Sequence, residues 1–492
     1  MAQPSVNSVV SSFAVDRRLF VAGIGATVMA AAIPASAVAA GGDLTWMSGW
    51  QIRDAIVAGK FTALEVTNHF LARIARLDPV LHAFRKVDEA RAREQASAAD
   101  AALKRREKPG LLHGVPIALK EHIAVAGMPS PHHGHSPSEG VAVSMAPAKD
   151  DSITAERLRK AGAVIVGVTV MPGMGIDSGM SDLAQHPRNP WNPAHVPGSS
   201  SAGSAAAVAA GMLPICIGSD GGGSTRLPAA LCGVIGLHPT TGRVPAANYD
   251  TTRLMLTLTF GPIARDMRDI AITLQAIAGP DGRDMLSTVH PPAPDYSALL
   301  SKGAMGLKLG WTDDFGFASK YFTSDGAAII AQSRKAAQGF TSLGATVDTP
   351  KIELEDFWPH IASTMNHYEG KPQPEPVMRA AMEARGRNRT KFDALLESHD
   401  FILSTTIPFT APTVEQWDKD WKDGVSFAPI YTSETFMFNW IGLPAISLPI
   451  GLYKGMPIGL QIVGRPDSEP RMFAAAAAFM AKFPQTARPK IS

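Results

Sequence analysis

Two stretches in the middle of the chain concentrate residues able to do chemistry. Pro197-Gly198-Ser199-Ser200-Ser201-Ala202-Gly203-Ser204 is followed by Gly218-Ser219-Asp220-Gly221-Gly222-Gly223-Ser224-Thr225-Arg226-Leu227-Pro228. A serine hydroxyl is a weak nucleophile at its ordinary pKa and needs a base beside it. The glycines ahead of Ser224 leave backbone N–H groups unobstructed, as an oxyanion hole requires. Histidine is the commonest base, yet the Gly-x-Ser-x-Gly elbow is absent around every serine. Lysine is the other candidate. Lys120 closes the run Gly114-Val115-Pro116-Ile117-Ala118-Leu119-Lys120. Desolvation at the mouth of an apolar segment disfavours the ammonium, and the neutral amine then accepts a proton. Ser–Lys catalysis is an established alternative to Ser–His. A lysine after a strand is more often a solvated end, so the residues alone leave the base open.

These residues need elements to hold them. Ser204 to Ala210 reads as a compact Ala-rich helix and Leu213 to Ile217 as a strand, so the two turns flank one helix and one strand. A Gly/Ser-rich composition suits a flexible linker, but linkers do not carry Ile215-Cys216-Ile217 or Val234-Ile235-Gly236-Leu237. Small residues here let backbones approach one another and a substrate. Val115 to Leu119 and Ala163 to Val170 read as strands, with a helix over Ile153 to Ala161 between them. Upstream, Ile52, Ile56, Leu64, Val66, Phe70, Ile74 and Leu77 recur at helical spacing, predicting one helix over Gln51–Leu77 that ends at Pro79. A second helix is expected over Asp88–Arg106. Downstream come a strand at Leu307–Trp311, a helix near Ala327–Leu343 and a final helix over Glu469–Lys482. Residues 352–440, polar and aromatic, read as an excursion over the core on the substrate side. Alternating strands and helices imply an α/β fold.

The bulk numbers set outer limits. The chain has 492 residues, 45% hydrophobic and 18% charged, which is ample for a globular core. Its 46 basic and 44 acidic residues give a net charge of +2, so nothing calls for nucleic acid or an acidic membrane. Two cysteines, Cys216 and Cys232, exclude a disulfide scaffold and read as buried free thiols. At the N-terminus, Asp16-Arg17-Arg18-Leu19-Phe20 precedes an apolar run, Val21 to Ile33, and a small-residue stretch from Ala35 to Ala40. That order reads as an export leader over residues 1–40, and the paired arginines suggest twin-arginine export to the periplasm or beyond. The run is too short and too rich in Gly and Ala for a stable membrane span.

The stretch from Asn189-Pro190-Trp191-Asn192-Pro193 through Gly242-Arg243-Val244-Pro245 resembles the amidase signature family. The family's Gly-Gly-Ser-Ser-Gly-Gly-Ser turn, its Gly-Thr-Asp-x-Gly-Gly-Ser-x-Arg-x-Pro and its Gly-x-x-Gly-x-Lys-Pro-Thr all have counterparts, the last at Gly233 to Thr240. Gly114 to Lys120, Gly442 to Pro449 and Met456-Pro457-Ile458-Gly459-Leu460-Gln461 match further family segments. The resemblance runs from about residue 50 to 485. It implies one large α/β domain over residues 41–492, with a mixed central sheet flanked by helices. It implies Ser224 as nucleophile, Ser200 as the bridging serine after a cis peptide bond, and Lys120 as base. The amides of Gly221, Gly222, Gly223 and Ser224 would form the oxyanion hole, with Asp220 and Arg226 as supports. No metal or organic cofactor is implied, and the substrate is a small amide: aryl or alkyl amide, peptide amide or carbamate.

The match departs from the pattern in places. Ser199 and Ala202 stand where glycine is common, Glu121 replaces an aspartate and His238 a lysine. Gly167-Val168-Thr169-Val170-Met171-Pro172 lies where Gly-Lys-Thr-Asn-x-x-Glu is common, so the substrate pocket is expected to be atypical. Rival readings are weaker. Gly173-Met174-Gly175-Ile176-Asp177-Ser178-Gly179 imitates a dinucleotide loop with its last glycine one place late. His132-His133-Gly134-His135 lacks helical spacing and further close ligands for zinc. Trp358, Trp417 and Phe436 would suit an apolar substrate group, although core packing is the ordinary role for each. An amidotransferase-type subunit, or a non-catalytic binder on this scaffold, is the alternative to a hydrolase working as monomer or homodimer. Retention of Lys120, Ser200 and Ser224 argues against the binder, and an export leader against a partner of translation.

Overall fold

The computed structural model describes residues 43–131, 145–172, 186–246, 257–368, 371–422 and 429–491. The chain divides into two units, Met1–Gly42 and Asp43–Ser492. The second unit carries eleven described strands: β1 Phe84–Val87, β2 Pro116–Lys120, β3 Val164–Thr169, β4 Ile215–Asp220, β5 Ile235–His238, β6 Thr259–Ala264, β7 Lys308–Trp311, β8 Thr346–Asp348, β9 Phe401–Thr405, β10 Ala445–Tyr453 and β11 Met456–Val463. They form one sheet in the order β1-β3-β2-β4-β6-β5-β10-β11-β9-β7-β8. The trios β3-β2-β4 and β9-β7-β8 are parallel and the remaining pairs antiparallel. This is the expected mixed α/β architecture. Every residue of β2, β3 and β4 is buried, which explains why β3 and the first residues of β2 and β4 read as apolar runs rather than alternating ones, with the polar Lys120, Ser219 and Asp220 at the strand ends. One core cluster spans the sheet and the helices against it, and a second gathers aromatic and aliphatic residues between Phe315 and Val463.

Three expectations are corrected. The single helix over Gln51–Leu77 is two, Gly49–Val57 and Ala63–Leu81. Thr62 and Glu65 close a reciprocal capping box at the second start, with bonds of 2.7 and 3.1 Å, a local signal that overrides the continuous apolar spacing. The second helix also runs through Pro79, and His82 takes the left-handed conformation that ends it (φ 48°). Asp78 there accepts from the amides of Ala83 and Phe84 at 2.7 and 3.1 Å, so the chain turns directly into β1. Finally, residues 352–440 are more than an excursion, because Phe401–Thr405 within them is an interior strand, buried at all five positions. The rest of that stretch supplies helices, among them Trp358–Tyr368, Glu375–Ser398 and Phe436–Ile441.

Other elements fall within a few residues of expectation. The Ala-rich helix is Ala202–Ala209 and the strand after it Ile215–Asp220. The predicted helix over Ala327–Leu343 is an α-helix, Gly326–Gln338, followed by a 3-10 turn, Gly339–Leu343. Cys216 and Cys232 are free and buried, and burial pushes the Cys216 thiol up to about 12. None of the described helices is long and apolar enough to cross a membrane.

Candidate active site

Lys120 is the last residue of β2 and only 1% exposed. Its Nζ donates to Ser200 Oγ at 2.6 Å and to Ser219 Oγ at 2.9 Å. Burial removes the water that would solvate the ammonium and brings its pKa down from 10.5 to about 7; the carboxylates of Asp220 and Glu121 oppose the shift without cancelling it. Glu121 is itself locked in place. It accepts Arg85 Nε at 2.6 Å and the amide of Met171 at 2.6 Å, which ties the end of β2 to β1 and to the segment after β3. The longer side chain at position 121 spans that gap.

Ser200 precedes the helix Ala202–Ala209, and the Ser199–Ser200 peptide is cis. The next residue, Ser201, joins the two serine turns. Its amide donates to Ser224 O at 3.1 Å. Its hydroxyl donates to Ser219 O at 3.1 Å and accepts from the Ser219 amide at 3.2 Å. Ser200 and Ser224 are 5% and 7% exposed, each buried in its Gly/Ser turn. The helix can lie this close because Gly203 has no side chain: its amide reaches Val170 O at 3.1 Å, and a Cβ there would collide with the Ala83 carbonyl. At the far end of the helix, Arg73 donates to Ala210 O at 2.6 Å and Arg265 to Val208 O at 2.7 Å. Cations at a helix C-terminus offset its unpaired carbonyls. Neither arginine stands out in the sequence, because both lie more than fifty positions from the carbonyls they cap.

The Ser224 turn is organised by Asp220, which is fully buried. Its carboxylate accepts the Gly223 amide at 2.6 Å, Thr225 Oγ1 at 2.9 Å, Arg226 Nε at 2.9 Å and Asn439 Nδ2 at 2.8 Å. Burial works against this charge, but the Arg226 guanidinium and the hydrogen bonds from Arg226 and Asn439 hold the carboxyl far below the usual range. Arg226, also fully buried, continues to Gln461 Oε1 at 2.8 Å, Asn439 Oδ1 at 2.6 Å and Thr435 O at 3.1 Å. A buried ion pair stands only when its remaining donors and acceptors are used, and here they are. His238, beside this pair, is lowered to about 3 by burial, with Asp220 opposing, and is neutral.

Thr435 Oγ1 donates to Gly222 O at 2.8 Å, and the Phe436 ring lies against Gly222. Gly223 has φ +123°, and a Cβ on it would strike the Thr435 side chain, so only glycine fits that turn. Of the residues singled out in the sequence, the structure joins Lys120 to Ser200, and Asp220 to Gly223 and Arg226, by hydrogen bonds; Ser224 is tied to the other serine turn through its carbonyl, which accepts from the Ser201 amide. The structure adds Thr435 and Asn439, which lie outside the motifs, and gives partners to Ser201, Ser219 and Gln461, which lie inside them without an assigned role. The Gly223 N–H points to Asp220 rather than outward. Phe436 and Trp358 pack with Phe357 in the aromatic core, and Trp417 packs with Tyr431 in another apolar cluster. His132 to His135 and Gly173 to Gly179 lie outside the described residues. Among the described residues no group of three His, Cys, Asp or Glu side chains could hold a metal ion.

A family model described as Amidase matches residues 65–371 and 317–473. A glutamyl-tRNA(Gln) amidotransferase subunit of Synechococcus sp. (strain RCC307) is 33% identical over 473 residues, covering 86% of this chain and 94% of that protein. A bacterial aryl acylamidase of the amidase signature enzymes superposes with a TM-score of 0.74 at 25% identity, covering 90% of this chain and 97% of the other. A 6-aminohexanoate cyclic dimer hydrolase shares the fold with a TM-score of 0.77 at 24% identity, covering 92% and 99%.

Proposed function

We propose, from the premise that this chain belongs to the amidase signature family, that it hydrolyses a small carboxylic amide through an acyl-enzyme on Ser224. The observation that carries this reading is a lysine sealed from solvent with its amine 2.6 Å from the Ser200 hydroxyl. A pKa near 7 leaves much of that amine neutral at ordinary pH. Neutral Lys120 takes the Ser200 proton while Ser200 takes that of Ser224. Ser224 Oγ bonds to the amide carbon, and the carbonyl becomes an oxyanion. We assign the oxyanion to the Gly221–Ser224 turn. Gly223 contributes by fixing the loop through its bond to Asp220, and its neighbours' amides carry the charge. The proton returns through Ser200 to the amine as the C–N bond breaks. Water enters by the same relay and releases the acid.

The test works whatever the substrate. Intact mass after treatment with a small alkyl fluorophosphonate, with peptide mapping, should show one adduct on Ser224 that Ser224→Ala lacks. The wild type should then cleave members of a panel of aryl, alkyl and peptide amides and carbamates. Labelling at another serine, or no turnover of the panel by an enzyme that labels, would count against the reading.

The pH dependence follows from the sign of the lysine shift. Protonated Lys120 cannot accept a proton, so the acylation rate should rise tenfold per pH unit at acid pH and level off above about 7. Stopped-flow or initial-rate profiles between pH 5 and 9 check this. A rate independent of pH through that range would exclude Lys120 as the base.

One observation favours a second reading, an amidotransferase subunit: relatives so named are 31–33% identical over 86–89% of this chain. Both readings begin with the same acyl-enzyme, so dependence on a partner separates them: turnover of small amides by the chain alone supports the hydrolase, and amide cleavage only in the presence of a partner protein supports the amidotransferase subunit. We further propose that residues 1–40 are a twin-arginine-type leader and that the mature chain works outside the cytoplasm as a monomer or homodimer. Mass of the protein recovered from a periplasmic fraction should show an N-terminus near residue 40, and full-length protein confined to the cytoplasm would refute it.

A further inference from the structure

We propose that Ser219 is a positioning residue that steers the amine of Lys120 toward Ser200 and accepts a hydrogen bond from the ammonium formed when Ser224 is deprotonated. This deepens the reading of Lys120, Ser200 and Ser224 as a proton relay and rests on it. A neutral amine has two N–H groups and one lone pair. To act as base, its lone pair must face the Ser200 hydroxyl, so an N–H must be directed elsewhere. Ser219 Oγ, 2.9 Å from Nζ, is that second partner, beyond Ser200 itself. The lysine is 1% exposed and Ser219 2%, so water does not substitute freely.

Both polar groups of the Ser219 backbone are held by Ser201. Its amide donates to Ser201 Oγ at 3.2 Å and its carbonyl accepts from the same hydroxyl at 3.1 Å. Its strand places the side chain one residue before Asp220, the group that shapes the Ser224 turn. One side of β4 thus serves the base and the next residue serves the nucleophile's loop. A hydrogen bond to a charged donor is roughly twice as strong as one to a neutral donor. The Ser219 contact therefore strengthens as the proton arrives at Lys120, and Ser219 favours the transition state over the resting site.

The experiment measures the rate of Ser224 labelling by a small alkyl fluorophosphonate against pH, in the wild type and in Ser219→Ala, Ser219→Thr and Ser219→Val. Ser219→Ala should label about tenfold more slowly on the plateau. Its acid limb should move to lower pH, because the ammonium has lost an acceptor. Thr and Val share shape and differ in the hydroxyl, so labelling should be rescued in Ser219→Thr relative to Ser219→Val even where alanine folds poorly. Thermal melts of all four report folding separately, since a merely structural role lowers stability without moving the acid limb. Equal profiles for Thr and Val, or an unshifted limb in every variant, would overturn the proposal. Absence of any Ser224 adduct in the wild type would instead remove the relay on which it rests.

Discussion

Ser224→Ala is expected to lower turnover of any amide substrate by about 10⁴-fold or more, with little change in KM. Lys120→Ala should fall by a similar factor, because without a base the Ser224 hydroxyl is only an alcohol. The informative variant is the double one. Residues that act as one unit are grossly non-additive, so Lys120→Ala with Ser224→Ala should be no slower than Ser224→Ala alone. Multiplying losses would mean that Lys120 contributes independently of Ser224, and the relay through the 2.6 Å contact with Ser200 would have to be abandoned. Loss of function in Ser224→Ala should leave the fold intact. Its side chain sits at a turn between β4 and the helix Arg226–Cys232 rather than in an apolar layer.

Arg226→Ala carries the largest expected effect on stability. It removes the partner of a fully buried carboxylate and strands acceptors on Gln461, Asn439 and Thr435. Breaking a buried pair from one side costs about 3–5 kcal/mol, a large share of the stability of an ordinary domain. The urea midpoint should fall accordingly, and Ser224 labelling should slow even in the folded fraction, because Asp220 then loses its fixed orientation toward the Gly223 amide. Arg226→Lys should recover little, since a single ammonium cannot reproduce the forked contacts to Asp220, Asn439 and Gln461. A stability within about 0.5 kcal/mol of the wild type would show that the pair is dispensable to the fold.

Much of this arrangement is legible in the sequence, and the reasons differ by element. β2, β3 and β4 announce themselves because strands buried on both faces need apolar side chains. The Ala-rich helix is recognisable because it is short, uniform and framed by glycines. The break between Val57 and Ala63 is hidden because apolar spacing continues across it, and the Thr62–Glu65 box that restarts the helix is a two-residue signal. β9 is hidden inside a polar, aromatic stretch because its five residues are few and its partner β11 follows more than fifty residues later.

Ser219 has a readable trace: the family segment places threonine, another β-hydroxyl, at that position. Thr435 and Asn439 have none, and Gln461, although it closes a matched family segment, carries no sign of its partner. They meet Gly222, Asp220 and Arg226 across more than two hundred residues of chain, and no local pattern encodes such a meeting.

The sequence by itself determined which residue types are available for chemistry, the order of the strands that carry them and the family to which they belong. Those properties are local, set by side-chain chemistry, apolar spacing and turn residues. Tertiary structure decided that Lys120 is dry enough to titrate near 7, that Ser219 shares it with Ser200, and that the Gly223 amide serves Asp220. Basicity and hydrogen-bond direction depend on what surrounds a group in three dimensions, and here the surroundings arrive from distant parts of the chain.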